Sequence, residues 1–369
     1  MLKKIEIAFR RLLLRYLAAS NKASSNRTID TSKLKRVLLL RQDRLGDLVI
    51  SVSLIKELKR KLPESCKIGI VLGKKNISGK WLIEGLVDNT YPFGKDLKSS
   101  LSVINKIRKE KYDLVVDLLD NPSSSSALLT RLSNATNSLG FEKKYSEVYS
   151  HTINLPDKTQ SHIIDRIFSI PQYLLHYHTE SDFRKISIDI TEDDIANAKN
   201  KLSRFGDNII AINVSGSTRN KYLGRKNIIE LCCHLRLEFP QCEILLFGIG
   251  EYYKEIDLII EEVKKRNYAV HKAPASNNFK EYSALLSLCS LAINPDTSAV
   301  HLCSAFQIPQ LVLYSYVPDN GMPMPWYPYM SPYLHINVDG ALAKVSIDLL
   351  KEKASELVET YSNFKKQNE

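Results

Sequence analysis

Short runs of branched apolar residues alternate along the chain with longer stretches whose apolar residues recur every three to four positions. Residues 37–40, 67–72 and 114–118 are nearly uninterrupted apolar runs, too short for helices and bounded by polar clusters, and they predict buried strands. Between them, residues 48–62 and 101–109 carry helical spacing. A second set follows, with strand-like runs at 209–214, 243–247, 291–293 and 308–314. Thr191-Glu192-Asp193-Asp194 opens a helix whose acidic first turn suits its N-terminus, and Gly206-Asp207 is expected to end it. Strands that alternate with helices predict doubly wound parallel sheets. At 369 residues the chain exceeds one typical core, so two such domains are expected. The pattern divides into a leader and linker at 1–32, a first domain at 33–190, a second at 191–340, and a helix at 341–369 expected to pack back toward the first domain.

The leader changes this picture. Leu2, Ile5, Phe9, Leu12, Leu13 and Tyr16 share one helical face, with Lys3, Lys4, Arg10, Arg11 and Arg15 around the rest. The arginines interrupt any signal-peptide centre, and no run of apolar residues in the chain is long enough to cross a membrane as a helix. A basic amphipathic helix of this kind fits an anionic membrane surface, and equally a helix docked on its own domain. The formal charge of +11 favours an anionic partner: nucleic acid, an acidic membrane or a phosphorylated substrate. No nucleic-acid-binding module is recognisable, so nucleic acid is not an expected partner. The six cysteines form no Cys-x-x-Cys pair and lie mostly in core-like runs, which predicts free, buried thiols. His151, His162, His176 and His178 match no metal-ligand spacing and read as surface or packing residues.

Candidate chemistry sits at the strand ends, where open α/β sheets bind ligands. Residues 37–40 run into Arg41-Gln42-Asp43-Arg44-Leu45-Gly46-Asp47, and residues 114–118 deliver Asp117, Asp120 and Asn121, followed by Ser123 to Ser126 at a helix start. Acids and serines there serve either as caps or as ligand groups. In the second domain the first strand ends in Ser215-Gly216-Ser217-Thr218-Arg219-Asn220-Lys221. Small hydroxyl residues, a glycine and nearby cations suit a phosphate, although the stretch fits no strict P-loop. Gly248-Ile249-Gly250-Glu251 follows the next strand, where a carboxylate can accept from ribose hydroxyls. Leu291 to Leu302 reads as a strand, a polar bend and a helix with Thr297 and Ser298 in its first turn. The 318–332 loop is rich in proline and aromatic residues that offer stacking surface.

Taken together, these units resemble the ADP-heptose:lipopolysaccharide heptosyltransferases of glycosyltransferase family nine, over residues 35 to 315. Arg41 to Asp47 looks like the family's first-strand signature, and Asp296-Thr297-Ser298-Ala299-Val300-His301-Leu302 like its Asp-Thr-Gly-x-x-His-Leu element. Tyr112 to Leu118, Gly140-Phe141 and His162-Ile163-Ile164-Asp165-Arg166 resemble parts between them. The resemblance implies an α/β chain of GT-B architecture, two Rossmann-like domains facing a cleft. It implies inverting transfer of heptose from ADP-L-glycero-D-manno-heptose to the Kdo-lipid A inner core of lipopolysaccharide, with no essential cofactor or metal, on the cytoplasmic face of the inner membrane. A related transferase with another nucleotide-sugar or acceptor, and a non-catalytic nucleotide or glycan-phosphate binder, are the alternatives.

Carried over by residue, the resemblance makes Asp47 the general base, with Asp43, Arg44, Gly46, Asp120 and Asn121 on the acceptor side. It places Ser215, Gly216, Ser217, Lys221, Glu251, Asp296, Thr297, Ser298 and His301 on the donor side. Three departures stand out: Ser298 where the family usually has glycine, Tyr222 where tryptophan is common, and a loosely matching 215–221 loop in which Arg219 or Arg225 could replace Lys221.

Overall fold

The computed structural model describes residues 12, 14–17, 19, 28–94, 97–155, 161–177, 180–216, 218–316 and 325–361. It divides into two compact units, Met1–Arg184 and Lys185–Glu369.

The first unit is built on strands β1 (Arg36–Arg41), β2 (Lys67–Gly73), β3 (Asn89–Phe93), β4 (Leu114–Asp117), β5 (Asn137–Phe141) and β6 (His151–Ile153). They lie in the order β3-β2-β1-β4-β5-β6 and pair in parallel throughout. Central strands covered on both faces must be apolar along their whole length, and Val37 to Leu40 are fully buried. The helix Leu45–Lys61 presses Leu48, Val49, Val52, Ile55 and Leu58 into this core, and Lys59, Arg60 and Lys61 offset the negative end of its dipole.

The second unit repeats the plan with β7 (Ile209–Asn213), β8 (Glu243–Phe247), β9 (His271–Lys272), β10 (Leu291–Pro295), β11 (Gln310–Tyr314) and β12 (Tyr333–Asn337). Their order, β12-β11-β10-β7-β8-β9, is the first unit's order counted from β7, again all parallel. Both sheets therefore have the Rossmann strand order. The strands that the apolar pattern misses, β3, β5, β6, β9 and β12, lie at or next to the sheet edges and are only partly apolar.

The terminal helix belongs to the second unit. Its described part, Ile347–Tyr361, packs on the second unit's own sheet and on the helix Arg225–Glu238. Leu350, Ala354, Leu357 and Val358 form one apolar stripe inside that unit's core. His234 and Ser355 add a side-chain hydrogen bond of 2.8 Å between the two helices.

Of the leader, Leu14 and Leu17 dock on Ala127, Val148 and Tyr149 of the first unit. Leu12 and Tyr16 are 66% and 70% exposed. The apolar face drawn from the sequence therefore points outward at these two positions, and a neighbouring pair three residues apart makes the contact. Leu2, Ile5, Phe9 and Leu13 lie outside the described residues. All six cysteines are free, and all but the half-buried Cys233 are buried. Among the described residues no helix is long and apolar enough to cross a membrane.

Candidate functional site

In each sheet the strand order reverses between the unit's first and fourth strands: β1 and β4 in one, β7 and β10 in the other. Loops leaving such a pair diverge to opposite faces and open a crevice beyond the strand ends. The sequence-predicted site residues in the loops after β1, β4, β7 and β10 lie at these two reversal points.

In the first unit Leu40 pairs with Asp117, so the loops after β1 and β4 start side by side. Arg41, with a side chain only 3% exposed, ties them together. Its Nε donates to Ser51 Oγ at 2.8 Å, and its Nη1 donates to the Leu118 carbonyl at 3.0 Å and to Asp43 Oδ2 at 3.1 Å. Ser51 in turn donates to the Asp47 carbonyl at 2.7 Å. Asp47, half-buried, stands in the first helical turn, and its carboxylate accepts the Arg44 N–H at 3.3 Å. A helix N-terminus favours negative charge at that place. Gly46 is half-buried in the same turn and Arg44 is exposed. Burial drives the Asp43 carboxyl up to about 7; the Arg41 guanidinium opposes this, and the charges of Asp47 and Asp117 add to it.

At the end of β4, Asp117 is fully buried against Lys143 at 2.9 Å, with the Tyr149 hydroxyl and the Leu119 N–H also donating to it. Gly140 makes room for this arrangement: a Cβ there would stand 2.6 Å from the Tyr149 ring. Burial pushes the Tyr149 phenol well above its ordinary range, so it donates as a neutral hydroxyl. Asp120 pairs with buried Arg166 at 3.0 Å and accepts from Asn121 at 3.0 Å. Ser123 caps the helix Ser124–Leu132, and Gln42 donates to Ser126 Oγ at 2.7 Å, joining that helix to the β1 loop. Sequence reasoning named Asp43, Asp47, Asp120 and Asn121 here. It missed Arg41, Lys143, Tyr149 and Arg166 as site members; the Gly140-Phe141 and His162 to Arg166 motifs were the available signals for three of them. His162 itself is a capping residue, its Nδ1 accepting the Ile164 N–H at 3.1 Å.

The second reversal point is held by Asn213, also missed. Its Nδ2 donates to Thr297 Oγ1 at 3.1 Å and its Oδ1 accepts the Ser215 N–H at 3.0 Å. Ser215 Oγ accepts the Ile249 N–H at 2.9 Å, which links the 215–221 loop to the glycine turn before Glu251. Glu251 is exposed and immediately precedes the helix Tyr252–Lys265. Lys221 Nζ donates to the Asp296 carbonyl at 2.9 Å and pairs with the Asp296 carboxylate. Gly216 allows this loop: a Cβ there would fall 2.7 Å from the Lys221 carbonyl carbon and 2.8 Å from the Tyr222 nitrogen. Arg225 is committed elsewhere, with two 2.8 Å bonds to Glu255, which the Tyr222 hydroxyl also contacts. Of the three cations considered for the donor, Lys221 therefore sits with Asp296, and Arg225 is held by Glu255. Thr297 is the cap of the helix Ser298–Ala305 rather than part of its first turn, and His301 is buried within that helix. Ser217 lies outside the described residues, as does the 317–324 part of the aromatic loop. Beyond it, Tyr327 and Tyr333 stack with centroids 5.9 Å apart. Among the described residues no group of three or more His, Cys, Asp or Glu has a metal-binding arrangement.

Solved structures share this fold. A glycosyl transferase family 9 protein from Veillonella parvula superposes with a TM-score of 0.72 at 16% identity, over 90% of this chain and 99% of that one. The ADP-heptose heptosyltransferase II of E. coli gives 0.66 at 15% identity over 88% and 99%. The E. coli heptosyltransferase WaaC, solved with ADP, gives 0.65 at 18% over 89% and 99%. The two units are thus Rossmann-like units of the GT-B class. By sequence, the lipopolysaccharide core heptosyltransferase OpsX of Haemophilus influenzae is 18% identical over 291 residues, 78% of this chain and 80% of that protein. The family model for glycosyltransferase family 9 (heptosyltransferase) matches residues 100–338. The chain belongs to glycosyltransferase family 9, the heptosyltransferase family.

Proposed function

We propose that this glycosyltransferase moves heptose from ADP-L-glycero-D-manno-heptose to the Kdo-lipid A inner core of lipopolysaccharide, with inversion, on the cytoplasmic face of the inner membrane. The observation that carries the reading is the furnishing of the two reversal points: a carboxylate on a helix N-terminus at one, and a lysine with an aspartate beside a second helix N-terminus at the other. The relatives named as heptosyltransferases, one of them solved with ADP, supply the donor class.

Inverting transfer is a single displacement. Asp47 takes the proton of the acceptor hydroxyl as that oxygen bonds to the anomeric carbon, and the bond from that carbon to the diphosphate breaks with its electron pair leaving on ADP. The leaving charge is met by Lys221 and by the free N–H groups at the start of the Ser298 helix. Asp296 holds Lys221 in place and accepts from sugar hydroxyls, while Glu251 lies toward the ribose. Asp43, Arg44, Gly46, Asp120 and Asn121 line the acceptor side, with Arg41 bracing their loops. Ser215, Gly216, Ser217, Thr297 and Ser298 surround the diphosphate, and His301 supports the helix behind it. Exposed Leu12 and Tyr16 and the net charge of +11 suit an anionic membrane carrying a phosphorylated lipid acceptor. Ser298 supports a second reading, a related sugar donor, because its side chain stands beside the diphosphate where the family usually has glycine. Incubating the protein with Kdo-lipid A and a panel of ADP-, GDP- and UDP-sugars tests both. Transfer from ADP-heptose alone supports the first reading, transfer from another sugar the second, and no transfer from any donor refutes both.

A further inference from the structure

Two supports from different elements brace the loops after β1 and β4 from behind. Tyr149, two residues before β6, is buried, and its hydroxyl donates to Asp117 at the end of β4. Ser126, buried in the helix Ser124–Leu132, holds the side chain of Gln42, just past β1, at 2.7 Å. Beyond Asp117, the Leu118 carbonyl accepts from Arg41, which leads through Ser51 to the Asp47 carbonyl. Both supports share an outer neighbour. Leu14 and Leu17 of the leader form one buried cluster with Tyr149, Val148 and Ala127, the residue that follows Ser126. The described leader residues are helical, and on a helix of about 3.6 residues per turn the pair 14 and 17 falls opposite the exposed pair 12 and 16. The leader therefore turns one face to its own unit and another to solvent. Leucines buried against two separate elements oppose their moving apart, because that motion returns apolar surface to water. The Tyr149 ring has little room on the side of β5, where even a Cβ at Gly140 would stand 2.6 Å from it.

We propose that the leader is a working part of the first unit's site: Leu14 and Leu17 are positioning residues that hold Tyr149 and the helix Ser124–Leu132 against the loops after β1 and β4. Docking of the leader then sets how well those loops take the acceptor. The proposal rests on the reading of these loops as the acceptor side. It concerns the inner face of the leader alone and holds whether or not the outer face meets a membrane. Neither leucine touches substrate; each acts through Tyr149 and the helix that carries Ser126 and Ala127.

The test is Leu14→Ala/Leu17→Ala in the full-length protein, assayed with Kdo-lipid A stripped of its acyl chains so that membrane attachment plays no part. The kcat/KM for this acceptor should fall by about 3- to 30-fold, while the donor KM stays within about twofold, because the donor-side loops belong to the second unit. Leu14→Met/Leu17→Met, which keeps the apolar volume, should restore most of the loss. Leu17→Ala alone, a milder truncation, should move the acceptor value the same way by less. Val358→Ala removes core volume from the second unit and should leave the acceptor value unchanged, which separates positioning from general loss of stability. An acceptor kcat/KM within about twofold of wild type in Leu14→Ala/Leu17→Ala, or an equal loss in Val358→Ala, overturns the proposal. Amide hydrogen exchange needs no turnover: segments 42–47 and 117–121 should exchange faster in Leu14→Ala/Leu17→Ala by a similar factor, and at the wild-type rate in Val358→Ala. Unchanged exchange in the leader variant also overturns it. If exchange responds but the wild type glycosylates no acceptor, the functional reading has failed and the supporting role of the leader stands.

Discussion

Lys143→Met tests whether the ionic cluster behind the first reversal point is as dry as its geometry indicates. Asp117 is fully buried and Lys143 nearly so, and the amine also donates to the Leu119 carbonyl. Removing one partner of a buried pair leaves an uncompensated charge, at a cost of about 3–5 kcal/mol. Asp117 would keep two donors, the Tyr149 hydroxyl and the Leu119 N–H, which puts the expected loss at the lower end, about 3 kcal/mol. Met retains most of the alkyl volume, so little of the loss should come from packing. Urea unfolding of wild type, Lys143→Met and Lys143→Met/Asp117→Asn at pH 7.5 measures this. The single variant should lose about 3 kcal/mol, and the double variant should regain part of the loss. A loss below about 1 kcal/mol at pH 7.5, the value of an exposed pair, would refute the reasoning.

The remaining predictions concern both units and the leader. Lys221→Ala should lower kcat/KM for the donor by about 10- to 100-fold, the worth of one hydrogen bond to a charged group, whereas Arg225→Ala, with its side chain held by Glu255, should leave it within about twofold; equal losses would contradict the assignment. Asp43, at about 7 in the folded protein, keeps a proton that the unfolded chain releases near its ordinary 3.8. Its contribution to stability therefore declines as pH rises between those values, and urea unfolding should show Asp43→Asn gaining on wild type across that window. Leu12→Asp/Tyr16→Asp should weaken binding to anionic vesicles in a sedimentation assay without changing stability. Leu14→Ala should cost about 2 kcal/mol, because Leu14 is buried on the first unit.

What could be read from the chain follows from how strongly each position is constrained. β1, β4, β7, β10 and β11 are buried on both faces, so their apolar runs are unmistakable. β3 and β6 are short and only partly apolar, and β5 breaks its run with Gly140, whose reason is the Tyr149 ring, a contact nine residues away that local pattern cannot reveal. The polar strand ends were legible because turn-forming and charged residues cluster there. The residues that brace them were not: Lys143 and Arg166 reach Asp117 and Asp120 from 26 and 46 positions away along the chain. Asn213 lay within the strand-like run 209–214, and its bond to Thr297 spans 84 positions. The terminal helix was legible as a helix that docks, because its apolar residues form one stripe, but such a stripe does not say against what.

The central claim is that Asp47 is the base of a heptosyl transfer. Its most direct test is release of ADP and formation of heptosylated Kdo-lipid A by the purified protein supplied with ADP-heptose, comparing wild type with Asp47→Ala. The account predicts an inverted-anomer product from the wild type, and turnover lower by about a hundredfold or more in the variant, with donor binding retained. Turnover in Asp47→Ala within about tenfold of wild type would contradict the role of Asp47, and a wild type that binds ADP-heptose but releases no ADP would contradict the transfer itself.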